Sequence, residues 1–144
     1  MTNSEQPGRI VVGVDGSELS GLALAWAARQ AELTGATMEA LTAWHWPQTY
    51  GYPLPVGEGY DPKVAAARVL DAAVDRIRLE HPRLEVRTET LEGPASRALV
   101  EASKGADLLV LGRRGHGEIS GMLLGSVSAY CVAHAHCPVV VVRS

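Results

Sequence analysis

The stretch LLVLGRRGHGEISGMLLGSVS, residues 108–128, breaks an apolar run into four glycines and two arginines and then ends in Gly-Ser-Val-Ser. Glycine loses more conformational freedom on folding than any other residue, so this density needs a role that only a bare backbone can fill. The run DLLVL (107–111) reads as a strand buried on both faces, and residues 125–135 read as a helix whose N-terminus receives the loop. A glycine loop that leaves a strand and enters a helix N-terminus presents unpaired backbone N–H groups, and the helix dipole adds positive potential there. Phosphate is the natural ligand of such a turn, and Ser126 and Ser128 can add hydroxyl donors. A plain glycine turn with a serine cap has the same local signature, so the place of the loop in the fold decides between them.

Working outward, the pattern alternates between two periods. RIVVGV (9–14) is a short β-branched strand, followed by a helix over 17–33 with Leu22, Ala25, Trp26, Arg29 and Leu33 at helical spacing and Gly35 as its stop. TMEALTA (37–43) reads as a second strand, although Met, Glu and Ala are weak strand formers. Asp61 caps a second helix through Glu80, with Pro62 at its first position and Val64, Ala67, Val69, Leu70, Val74 and Ile77 as its apolar stripe. EVRTETL (85–91) alternates polar and apolar, as a strand with one wet face does. A third helix over 94–104 closes at Gly105, and PVVVVR (138–143) is a final strand.

Five strands alternating with four helices predict an open three-layer α/β domain with a doubly wound parallel sheet and right-handed crossovers. IVVGV and LLVL are apolar on both faces and belong in the middle, while EVRTETL belongs at an edge, so the order 3-2-1-4-5 satisfies the pattern. In that order the chain winds outward in opposite directions from strands 1 and 4. A ligand crevice then opens between the carboxyl ends of those two strands, at Val14-Asp15-Gly16-Ser17 and Gly112-Arg113-Arg114-Gly115. The glycine loop lies at this switch point, which favours the phosphate reading over the plain turn.

The whole chain bounds the function. Its 144 residues, 47% hydrophobic and 20% charged, suit one domain over 1–144, and the net charge of -3 with no basic run beyond Arg113-Arg114 disfavours nucleic acid. No apolar run approaches the ~20 residues of a membrane span, and the polar start MTNSEQPGR has no signal-peptide core, so a cytoplasmic protein is expected. Cys131 and Cys137 are the only cysteines, too few for a disulfide framework, and reduced thiols are expected. The set CVAHAHC (131–137) invites zinc, but it spans a helix end and a turn and fits no finger spacing, so no metal site is read there.

Two familiar phosphate motifs are absent. The only lysines are Lys63 and Lys104, so the loop is not a P-loop, and its glycine order is not that of the dinucleotide-binding fingerprint. What it does contain is Gly112-x-x-Gly115, nine residues, then Gly125-Ser126. Together with VVGVDGS (11–17) and CPVVVVR (137–143), this resembles the nucleotide-binding branch of the universal stress protein family, over essentially the whole chain.

The resemblance implies ATP or another adenine nucleotide in the crevice, with Mg²⁺. It assigns Asp15 to the ribose hydroxyls and the backbone of Ala43 to the adenine edge. Gly112 and Gly115 would line ribose and phosphates, with Gly125, Ser126, Val127 and Ser128 at the phosphates, while Gly13, Val14, Leu111 and Arg113 complete the candidate set. Gly13 stands where several nucleotide-binding relatives carry proline, which should loosen the pocket wall slightly. Of Arg113 and Arg114, one at most is expected to face phosphate, since adjacent side chains on a loop point apart. His116 reads as a solvated loop histidine.

WHWPQTYGYPLPVGEGY (44–60) holds two of the three tryptophans and three of the four tyrosines, which suits a lid over a base as well as a plug or subunit contact. Two functional classes follow: a nucleotide-binding stress or signalling module that reports ligand occupancy to a partner protein, and a slow ATPase or adenylate-transferring enzyme using the same crevice. Slow or no hydrolysis is expected, because the loop lacks a P-loop lysine and Glu118 and His116 sit on a glycine-flanked segment poorly suited to fixed catalytic geometry. PVVVVR, apolar and at a sheet edge, predicts a homodimer through strand 5.

Overall fold

The computed structural model describes residues 7–46, 48–49, 52–53, 55, 57–114 and 124–144. Five strands form one parallel sheet: β1 (Arg9–Gly13), β2 (Thr37–Trp44), β3 (Val86–Glu92), β4 (Leu108–Gly112) and β5 (Val139–Val142). Their spatial order is β3-β2-β1-β4-β5, as the patterning predicts. Four helices, α1 (Glu18–Thr34), α2 (Pro62–Glu80), α3 (Ala95–Ala102) and α4 (Ser126–His134), fill the connections. Within the aromatic segment the sequence reading missed a two-residue antiparallel ladder, Gln48–Thr49 against Tyr52–Pro53.

The element boundaries follow local chemistry. Ser17 caps α1 by accepting from the Ser20 N–H, and Gly35 ends the helix in the left-handed region, φ +74°. The Asp61 carboxylate accepts from the Lys63 N–H at 2.9 Å, with Pro62 at the first helical position. The central strands bury both faces: Val11, Val12, Leu109 and Val110 are fully enclosed. β3 is largely exposed, as its alternation implies, and β5 is half-buried at the other edge.

One apolar layer lies between the sheet and α1 and α2, the other between the sheet and α3 and α4. The face that α1 presents differs from the expected one, while α2 buries half of its expected stripe. α1 buries Ser20, Ala23, Leu24, Ala27, Ala28 and Ala31, whereas Leu22 and Leu33 are exposed, Leu33 to 79%. α2 buries Ala66 with Leu70, Val74 and Ile77, and leaves Val64 and Val69 exposed. The reason is that Ser20, Ala23, Leu24, Ala27, Ala28 and Ala31 also recur at helical spacing, and it is this stripe, small except for Leu24, that the sheet takes. At the first turn of α1 the approach to β4 is close: a Cβ on Gly112 would stand 2.9 Å from Leu19 Cβ and 3.0 Å from its carbonyl carbon.

Candidate functional site

A cavity of about 290 Å³ opens at the carboxyl ends of β1 and β4, where the chain winds away in opposite directions. That volume lies near the lower end of the ~300–1,000 Å³ typical of small-molecule sites. Its base is an apolar slot: Leu41 and Ala43 from β2, Leu91 from β3, Ala95, Ala98 and Leu99 from α3, and Leu111 from β4. The α3 contribution and Leu91 were not foreseen, because two alanines and two leucines at ordinary helix and strand spacing carry no motif. Gly13 also lines the slot, and the room left by its missing side chain is taken by the Leu99 and Leu111 methyls, 2.9–3.4 Å from where a Cβ would stand. The wall is closed there rather than loosened.

The polar rim comes from the two turns. After β1, the Val14 N–H donates to the Leu41 carbonyl and the buried Thr42 hydroxyl donates to the Val14 carbonyl at 2.8 Å, which locks the strand ends together. Thr42 and Ser20 both line the cavity and were not in the sequence-derived set. Gly16 takes φ +83°, a conformation that L side chains rarely adopt, and this turns Ser17 back so that its N–H donates to Asp15 Oδ1 at 2.8 Å. Asp15, exposed, is one of the residues that line the cavity.

On the opposite side, the Arg113 peptide joins three elements. Its N–H donates to the Val142 carbonyl of β5, and its carbonyl accepts from the Gly125 N–H and from the Ser128 hydroxyl, at 2.9 and 2.7 Å. Gly125 is the N-cap of α4 and makes no side-chain cap bond, the N–H groups of the first turn have no intrahelical acceptor, and Val127 and Ser128 of that turn line the cavity. Ser128 is buried and spends its hydroxyl proton inside the loop, so what it offers outward is backbone. Gly125, Val127 and Ser128 line the cavity, while Ser126 is exposed at the first helical position, outside the lining. Of the two arginines, Arg114 borders the cavity and Arg113 contributes its backbone. Gly115, His116 and Glu118 lie outside the described residues, as does part of the aromatic segment.

Among the described residues, the remaining titratable groups do not converge on this site. Cys131 and Cys137 are free thiols, and burial pushes the Cys131 thiol up to about 11 and raises Cys137 as well. Cys131 is buried whereas His134 and His136 are exposed, and among the described residues no group of three or more His, Cys, Asp or Glu side chains could hold a metal ion. No described helix is long and apolar enough to cross a membrane.

This combination defines the class: an open, doubly wound α/β domain with an apolar cavity and a helix N-terminus with a glycine N-cap at its switch point. The chain belongs to the universal stress protein family, whose sequence profile matches residues 7–143. It is 36% identical over 140 residues to universal stress protein Rv2623 of Mycobacterium tuberculosis, a match covering 93% of this chain and 47% of that protein. Universal stress protein Rv2624c of the same organism is 33% identical, with 94% and 48% covered. The chain thus spans about half the length of the curated relatives it matches. Among solved structures, a universal stress protein in complex with cAMP superposes with a TM-score of 0.72 at 28% identity, covering 94% of this chain and 96% of that one. The Archaeoglobus fulgidus family member in complex with dAMP gives 0.67 at 25% identity, with the same coverage.

Proposed function

We propose that this domain binds an adenine nucleotide, ATP foremost, and acts as a sensor whose occupancy is read by a partner. The observation that carries the reading is the pairing of an apolar slot with the glycine-capped N-terminus of α4 in one cavity. The slot suits a base, and the helix N-terminus suits phosphate. Two fold neighbours crystallised with cAMP and dAMP support the same ligand class. Ala43 would face the base edge with its backbone, Asp15 would accept from ribose hydroxyls, and Gly125, Val127 and Ser128 would hold phosphate with backbone N–H groups. Asp15 is the only carboxylate among the described lining residues, which fits a Mg²⁺ carried in by the phosphates rather than one caged by the protein. A sensor gains from slow hydrolysis, since its occupancy then reports ligand concentration.

The direct test is mass spectrometry of nucleotide retained by the purified protein, followed by calorimetric titration with ATP. Asp15→Ala should weaken ATP by about 1–3 kcal/mol, the range for hydrogen bonds to a charged group. Equal affinity in the variant would remove Asp15 from the ribose.

The assembly we infer is a homodimer through β5. The Leu109 N–H donates to the Pro138 carbonyl and the Arg113 N–H to the Val142 carbonyl, so even-numbered residues of β5 pair inward and the N–H groups of Val139 and Val141 face outward at the edge. An open apolar edge is a hazard that antiparallel pairing with a twin across a two-fold axis removes. Wild-type protein should scatter light as a dimer at micromolar concentration. Val141→Pro, which deletes an outward donor and no bond within the sheet, should be a folded monomer; a wild-type monomer refutes the interface.

A further inference from the structure

Asp15 is exposed, and an exposed carboxylate in water samples several rotamers. Here hydrogen bonds from the start of α1 hold one of its oxygens. Asp15 Oδ1 accepts from both the N–H and the hydroxyl of Ser17, at 2.8 and 2.5 Å. Ser17 Oγ accepts in turn from the Ser20 N–H, and the Ser20 hydroxyl donates to the Ser17 carbonyl while accepting from the Asp15 N–H. Ser20 is buried at the cavity wall, so these bonds are anchored to the first turn of α1.

We propose that Ser17 is a positioning residue for sugar recognition: its hydroxyl fixes the Asp15 carboxylate at the cavity mouth, and discrimination between ribose and deoxyribose nucleotides depends on it. This rests on the reading of Asp15 as the ribose contact. Ser17 also caps α1, and the two roles separate by what they affect. Losing a cap lowers stability and weakens every ligand alike, whereas freeing the carboxylate raises the ordering cost only for ligands that Asp15 touches.

The experiment is calorimetric titration of the full chain with ATP, 2′-deoxy-ATP and 3′-deoxy-ATP, alongside thermal unfolding. Wild type should favour ATP over the weaker deoxy analogue by about tenfold or more. Ser17→Gly keeps the backbone donor, removes the hydroxyl and costs the cap only a few tenths of a kcal/mol. It should lose about three- to tenfold in ATP affinity and little for the weaker analogue, so the ratio collapses. Ser17→Thr should restore the ratio. Ser17→Asp, which keeps an acceptor for the Ser20 N–H but puts a like charge beside Asp15, should collapse it as Ser17→Gly does, and serves if the glycine variant folds poorly. Wild-type discrimination that survives in Ser17→Gly and Ser17→Asp overturns the role of Ser17 alone. A wild type that binds all three nucleotides equally overturns the ribose reading together with it.

Discussion

Gly125→Val should lose at least a hundredfold in ATP affinity, about 2.7 kcal/mol or more, while remaining folded. Gly125 has φ -77° and ψ 173°, extended backbone that any residue adopts, so the glycine is not there for its conformational freedom. Its N–H bond to the Arg113 carbonyl survives the substitution, and glycine-to-valine at an N-cap costs about 1 kcal/mol of helix stability. What valine adds is a Cβ and two methyls at a buried position on the cavity wall, next to the α4 N–H groups that are proposed to meet phosphate. Backbone donors act only if the ligand reaches hydrogen-bond distance, and a branched side chain beside them keeps it out. Calorimetry on a variant with a wild-type circular dichroism spectrum decides the matter, and unchanged affinity would sink the phosphate role of this loop.

Much of the architecture was legible because the signals are local. Ser17 and Gly35, or Asp61 and Pro62, announce helix ends by hydrogen bonding and φ preference alone. The run LLVL, apolar on both faces, and the half-wet EVRTETL order the sheet by burial, and that order alone puts the crevice at Asp15 and Gly112. The helix faces failed for a non-local reason. The stripe Leu22, Ala25, Trp26, Arg29 and Leu33 looks like a core face, but Ser20, Ala23, Leu24, Ala27, Ala28 and Ala31 form a second stripe at helical spacing, and the sheet decides which of the two is buried. Nothing within residues 17–33 announces a neighbour 90 residues away. The candidate site shows the same division. Its glycines and Asp15 sit in motifs, whereas Ala95, Ala98 and Leu99 enter the cavity only because α3 crosses the end of β2. The choice of Arg114 over Arg113 likewise depends on which peptide is tied to Val142.

Gly112→Val should destabilise the domain by about 3 kcal/mol, the upper part of the usual overpacking range, and lower its melting temperature by roughly 10 °C. The contrast with Gly13 shows why. At Gly13 the nearest atoms to an added Cβ would be Leu111 and Leu99 methyls, 2.9 and 3.0 Å away, and the ends of flexible side chains can rotate aside. At Gly112 the same atom meets Leu19 Cβ at 2.9 Å, its carbonyl carbon at 3.0 Å and its oxygen at 3.1 Å. Two of those three are backbone, so relief requires moving the first turn of α1 itself. That turn carries Ser17 and Ser20, which tie down Asp15, so the shift would spread from the sheet into the mouth of the cavity. Gly13→Ala should therefore cost less than about 1 kcal/mol and Gly112→Val several times that, read from urea unfolding of the two variants side by side. Equal costs would mean that the first turn of α1 can shift on β4 without loss.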